Sequence, residues 1–83
     1  LNSVSPIMTQ RFYLDGHEHI ALCDLLKFCG LAESGGQAKT WIAQGRVSRN
    51  GSVETRKTAK IRAGETVCLD EHCIEVHAGA GND

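Results

Sequence analysis

Residues 34 to 53 read Ser-Gly-Gly-Gln-Ala-Lys-Thr-Trp-Ile-Ala-Gln-Gly-Arg-Val-Ser-Arg-Asn-Gly-Ser-Val, and the spacing of the apolar residues changes inside this stretch. Up to Gly45 the spacing is helical, with Ala38, Trp41 and Ile42 at i, i+3 and i+4 on one face. Ser34, with Gln37 three residues later, forms a capping box, in which side chains satisfy otherwise orphan amide donors at a helix start. Gly45 is placed to end the helix, because glycine enters the left-handed region without a Cβ clash. Beyond it, Val47, Asn50-Gly51 and Val53 read as a hairpin on a type I′ turn, since Asn-Gly tolerates positive φ at both central positions.

Working toward the N-terminus, Leu22, Leu25, Leu26 and Cys29 recur on one helical face, predicting a helix from Ala21 to Cys29 that Gly30 terminates. Arg11 to Leu14 is a short apolar run, Asp15-Gly16 suits a tight turn, and His17 to Ile20 is expected to return as a second extended segment. Toward the C-terminus, a turn at Ala63-Gly64 leads into Thr66 to Leu69, and Ile74 and Val76 alternate with polar neighbours as a last strand. The expected class is α+β: two short packed helices followed by a small, mostly antiparallel β-sheet.

A chain of 83 residues makes one domain. We place it at residues 11–77, with 1–10 as a disordered leader and 78–83 as a flexible tail. Met8 is the expected start, which would make Leu1 to Ile7 an upstream leader. Hydrophobic content of 41% with 23% charged residues fits a folded globular protein and is too apolar for a disordered one. No apolar run approaches the roughly 20 residues that span a bilayer, so a cytoplasmic protein with no membrane partner is expected.

The net charge of −1 hides a division. From Ser34 to Arg62 there are seven basic residues (Lys39, Arg46, Arg49, Arg56, Lys57, Lys60 and Arg62) against Glu54 alone, a local charge of +6. The rest of the chain sets Arg11 and Lys27 against nine acids, a charge of −7. A solvated face explains many such clusters; a phosphate-binding surface is the other reading. Trp41 falls on the apolar helix face, and Phe12, Tyr13 and Phe28 read as packing residues, so no exposed aromatic pair of the single-strand-binding kind is expected.

The order Gly30-Leu31, Ser34, Ala38-Lys39, Ile42, Gly45, Val47, Asn50-Gly51, Lys60-Ile61, Gly64-Glu65 and Val67 resembles the RNA-binding domain named after ribosomal small-subunit protein S-four, and within it the small stand-alone bacterial YbcJ-type branch. The resemblance covers about Ile20 to Val76 and implies an αL motif, in which two helices and the following hairpin present a basic surface to structured RNA. The expectation it implies is a non-catalytic, monomeric binder of ribosomal or transfer RNA, with the ribosome itself a candidate partner and no cofactor. The candidate RNA contacts are Lys27, Ser34, Gly35, Gly36, Lys39, Arg46, Arg49, Arg56, Lys57 and Lys60, with Arg56 and Lys57 ranked first. Phosphate contacts of this kind supply affinity and salt dependence and carry no base code.

Where the wider family has a basic residue after the capping serine, this chain has Gly35-Gly36, as the stand-alone branch does. The glycines either leave the helix-start amides open to a phosphate or merely permit a tight entry to the helix. The rival function is a protein-interaction module that docks an acidic partner on the same basic face. Four Cys and four His raise a metal site, but Cys23-x5-Cys29 and Cys68-x4-Cys73 lack the spacing of a zinc knuckle. If Asp70-Glu71 is a two-residue turn, Cys68 and Cys73 face each other, with free thiols the default in a reducing cytoplasm. Enzyme signatures are missing: there is no phosphate loop, hydrolase elbow or dinucleotide fingerprint.

Overall fold

The computed structural model describes residues 8–79. The expectations for residues 1–7 and 80–83 lie outside the described residues. Nine elements follow in order: β1 (Met8–Tyr13), β2 (Ile20–Ala21), α1 (Leu22–Phe28), α2 (Gly35–Ala43), β3 (Val47–Arg49), β4 (Ser52–Val53), β5 (Lys60–Ile61), β6 (Thr66–Leu69) and β7 (His72–His77). One sheet has five strands in the order β1-β7-β6-β3-β4, and β2 pairs with β5 in a separate two-stranded ribbon.

The class is the expected small α+β fold with two helices, but the sheet is mixed and does not simply follow the helices. β1 lies ahead of both helices and pairs with β7 in parallel, Met8 opposite His72 and Tyr13 opposite His77. The expected return of His17 to Ile20 against β1 does not form. Asp15 and Gly16 do make a tight turn, with φ of 55° and 90°. The chain then pairs only at Ile20–Ala21, with β5. A run of alternating residues specifies an extended segment and a buried face, not which strand becomes its neighbour. β1 also starts at Met8, inside the stretch expected to be leader, and Gln10 is anchored there by donating to the Cys29 carbonyl at 3.1 Å.

The core is built from the residues that carried the periodicity. Leu22, Leu25 and Leu26 of α1, Ala38 and Ile42 of α2, and Val47, Ile61, Val67 and Ile74 of the strands are fully buried in one cluster. Ser34 caps α2 as expected, its hydroxyl accepting from the Gln37 amide at 3.2 Å. The reciprocal half of the box differs: Gln37 Oε1 accepts from the Glu33 amide at 2.7 Å instead of from Ser34.

Both helices end in the same way. In α1 the Gly30 amide donates to Lys27 and the Leu31 amide to Leu26; in α2 the Gly45 amide donates to Ile42 and the Arg46 amide to Trp41. This is the Schellman arrangement, which needs a left-handed residue, and both glycines have φ of 79°. The Asn50-Gly51 turn has φ of 53° and 89°, the type I′ hairpin expected. Asn50 also ties the hairpin to β6, its side-chain oxygen accepting from the Thr66 amide at 3.0 Å.

Cys68 and Cys73 are directly opposite across the β6–β7 hairpin, and the structure joins them as a disulfide. Two separate thiols were the expectation. Their neighbours Val67, Leu69 and Ile74 point into the core, so the alternation of the strands puts both sulfurs together on the other face. Cys29 is half-buried, and burial pushes its thiol up to about 11, which keeps it protonated and unreactive. Among the described residues no helix is long and apolar enough to cross a membrane. None of their His, Cys, Asp and Glu side chains form a cluster of three or more able to hold a metal.

Candidate nucleic-acid interface

The hairpin, the loop after it and β5 bend the basic segment back on itself. Arg49, Arg56, Lys60 and Arg62 converge on one groove of about 470 Å³, with Thr58 and Ala59 on its wall. Arg62 was not among the expected contacts. Its signal was present in the sequence, since Arg62 closes the basic run counted above.

The arginines in this groove play different parts. Arg49 is half-buried and spans two carboxylates: its guanidinium donates to Glu65 at 2.8 and 3.1 Å and to Glu54 at 3.4 Å, and it also donates to the Lys60 carbonyl at 3.0 Å. These hydrogen bonds, that to Glu65 foremost, hold its pKa above the ordinary value. Arg49 is therefore a brace joining β3, β5 and the turn before β6. Arg56 is mostly exposed and meets Glu54 at 3.4 Å, while its backbone amide donates to the same carboxylate at 3.1 Å.

The two acids are held ionised. Glu54 lies below its usual range, chiefly because the Arg56 amide donates to it. For Glu65 burial works the other way, but the Arg62 amide and Arg49 outweigh it and its pKa also falls. Two arginines thus neutralise two glutamates. The excess positive charge of the groove resides in Lys60 and Arg62, neither of which has a carboxylate partner among the described residues.

The other expected contacts lie apart from this groove or at its edge. Lys57 is exposed, and its carbonyl accepts from the Cys23 amide at 3.1 Å, which ties the basic loop to the start of α1. Lys27 and Lys39 are exposed on α1 and α2, also without ion pairs among the described residues. Arg46 is not free: it pairs with Asp70 and lies over the half-buried Trp41 ring, 5.2 Å from its centroid. The Schellman cap places it there, since the third-from-last helical position and the second residue past the cap come together. Gly35 and Gly36 open α2 onto free space: a methyl group added at either would meet no atom nearer than 3.9 Å. Nothing in the geometry joins them to the groove.

One expectation about the aromatics is corrected. Phe28 is 63% exposed, and it stacks on Phe12 with centroids 6.4 Å apart and planes 6° from parallel. Cys29, and not Phe28, completes the inward stripe of α1, so Phe28 falls on the flank of the helix beside β1.

An α+β domain with two capped helices leading into a basic hairpin defines the αL class of small nucleic-acid-binding folds. The sequence matches the S4 domain over residues 12–77, and the chain belongs to that family. It is 54% identical over 67 residues to YbcJ of Escherichia coli (strain K12), a proposed RNA-binding protein, covering 81% of this chain and 96% of that one. YbcJ of Shigella flexneri, which has no assigned function, matches to the same extent. The solution structure of YbcJ from Escherichia coli, described as revealing an αL motif involved in RNA binding, superposes with a TM-score of 0.66 at 49% identity. That superposition covers 94% of this chain and 96% of YbcJ.

Proposed function

We propose that the protein is a non-catalytic domain that binds structured RNA, of the ribosomal or transfer class, by seating backbone phosphates along the groove of Arg56, Lys60 and Arg62. The observation that carries this reading is the uneven pairing of charge. Arg49 and Arg56 take up Glu54 and Arg49 holds Glu65, which leaves Lys60 and Arg62 without a carboxylate partner among the described residues and, with the mostly exposed Arg56, available to anions. The likeness to YbcJ supports it, as does membership of the S4 domain family. Lys57 extends the surface toward α1, and Lys27 and Lys39 add weaker long-range attraction from the helices. Ser34, Gly35 and Gly36 contribute through the open amides of the α2 start. Arg46 and Arg49 shape the surface and are not themselves primary contacts.

The experiment is a titration of the full chain with structured RNA fragments across a salt series, with the Arg56→Ala/Lys57→Ala variant alongside. Phosphate binding gives affinity that falls steeply with salt, and loss of these two cations is expected to weaken it at least tenfold, about 1.4 kcal/mol. Undiminished affinity in the folded variant would refute the site. No binding at low salt would refute the RNA reading and transfer the basic face to an acidic protein partner, whose docking depends less on salt.

A further inference from the structure

A second pocket lies where α1 leans over β1. Phe12 and Phe28 form one wall with their rings stacked and nearly parallel, and Ile20, His17, His19 and Asp24 line the rest of a space of about 390 Å³. That volume falls within the range of roughly 300–1,000 Å³ typical of small-ligand sites. Asp24 and Phe28 are one helical turn apart, so they present a carboxylate and a ring side by side. Asp24 has no ion-pair partner among the described residues.

The chemistry of the pocket selects its occupant. A flat aromatic wall favours a flat ligand. Asp24 repels a phosphate but accepts from an amino or imino N–H, and two imidazoles nearby can donate or accept as their tautomer requires. A nucleobase has both the π-face and the polar edge, and unstacked bases are held in this way in RNA recognition.

The position of the pocket supports the same ligand. Ala21 pairs with Lys60 across the β2–β5 ribbon, and the Leu22 and Cys23 amides donate to the Ala59 and Lys57 carbonyls. The pocket and the basic groove therefore share one short ribbon as their common wall, and exposed Lys27 adjoins Phe28 in the chain. We propose that this pocket holds a single unstacked nucleobase of the RNA whose phosphates occupy the basic groove. The proposal rests on the RNA-binding reading and adds a base-reading element to it.

The test uses the full chain and a set of RNA hairpins identical except for a one-nucleotide bulge of A, C, G or U, or none. A further hairpin carries 2-aminopurine in the bulge, whose emission reports stacking. A bulge bearing an amino group is expected to bind about tenfold more tightly than the unbulged hairpin. Phe28→Ala is expected to remove that preference and the emission change while leaving the unbulged affinity intact. Phe28→Trp is expected to keep the preference. The exposed position of Phe28 lets both variants fold, which circular dichroism verifies.

Equal affinity of the wild type for bulged and unbulged hairpins would overturn the pocket and leave the RNA reading standing. So would a Phe28→Ala effect that is equal on both RNAs or missing on both. Failure to bind any hairpin at low salt would overturn both readings together.

Discussion

Arg49 is the residue on which the basic segment turns. A lone guanidinium among three elements, bidentate to Glu65 and in reach of Glu54, contributes hydrogen bonds to charged acceptors worth about 2 kcal/mol. Arg49→Ala is expected to cost about that much in urea unfolding at neutral pH. The pH dependence follows from the acids. Both Glu54 and Glu65 have folded pKa values below the ordinary 4.5. Their contribution is thus fully present above that value and is lost as pH falls through the lower folded one. Unfolding measured at pH 7 and again below pH 4 is expected to show a smaller Arg49→Ala penalty in acid. The sequence revealed that residue 49 is basic and lies in a basic run. It could not reveal the brace, because Glu65 is sixteen residues away and reaches Arg49 only through the register of β3 with β6. Phe28 departs from expectation for a related reason: its spacing places it one step off the Leu stripe, and aromatic character alone does not decide burial.

At the scale of elements, the local signals were legible and the partnerships were not. Leu22, Leu25 and Leu26 gave α1, Ser34 gave the start of α2, and Asn50-Gly51 gave the hairpin, each through interactions within a few residues. The Schellman caps were legible only as terminal glycines, although in α2 the cap does more than stop the helix. It delivers Arg46 onto Trp41, fixing the corner between α2 and β3. Gly45→Ala is expected to cost about 1–2 kcal/mol, since a Cβ in the left-handed region clashes with the backbone. The space around it is not the cause, because the nearest atom, a Val53 methyl, would be 3.8 Å away. Thermal unfolding followed by Trp41 fluorescence checks both effects, with a lowered midpoint and a changed native emission as Arg46 shifts from the ring.

On the scale of the whole molecule, the charge division seen in the sequence survives folding in altered form. The +6 segment does become a surface, but its internal acid and the nearby Glu65 are absorbed by Arg49 and Arg56, so the cations unpaired among the described residues are Lys60, Arg62 and the outlying lysines. Arg62→Ala is expected to weaken RNA binding for all sequences alike and to reduce the slope of log affinity against log salt by about one. A titration series at several salt concentrations measures it, and an unchanged slope would remove Arg62 from the interface. The groove was partly legible, as a basic run; its depth and its membership depend on how β5 comes back to Arg49, which donates to the Lys60 carbonyl, and no local pattern encodes that return.

The parallel pairing of β1 with β7 has a consequence in time. Each residue of β1 meets one 64 positions further along, as Met8 does His72. On a ribosome the first strand must therefore wait, unpaired, until nearly the whole domain has been synthesised, while both helices and the β3–β4 hairpin can form from neighbours already present. Loop closure over that distance is the slowest kind of contact to make. Completion of the sheet by its earliest and latest strands makes it a late event in folding, and a nascent chain stalled before residue 72 has no place to put β1.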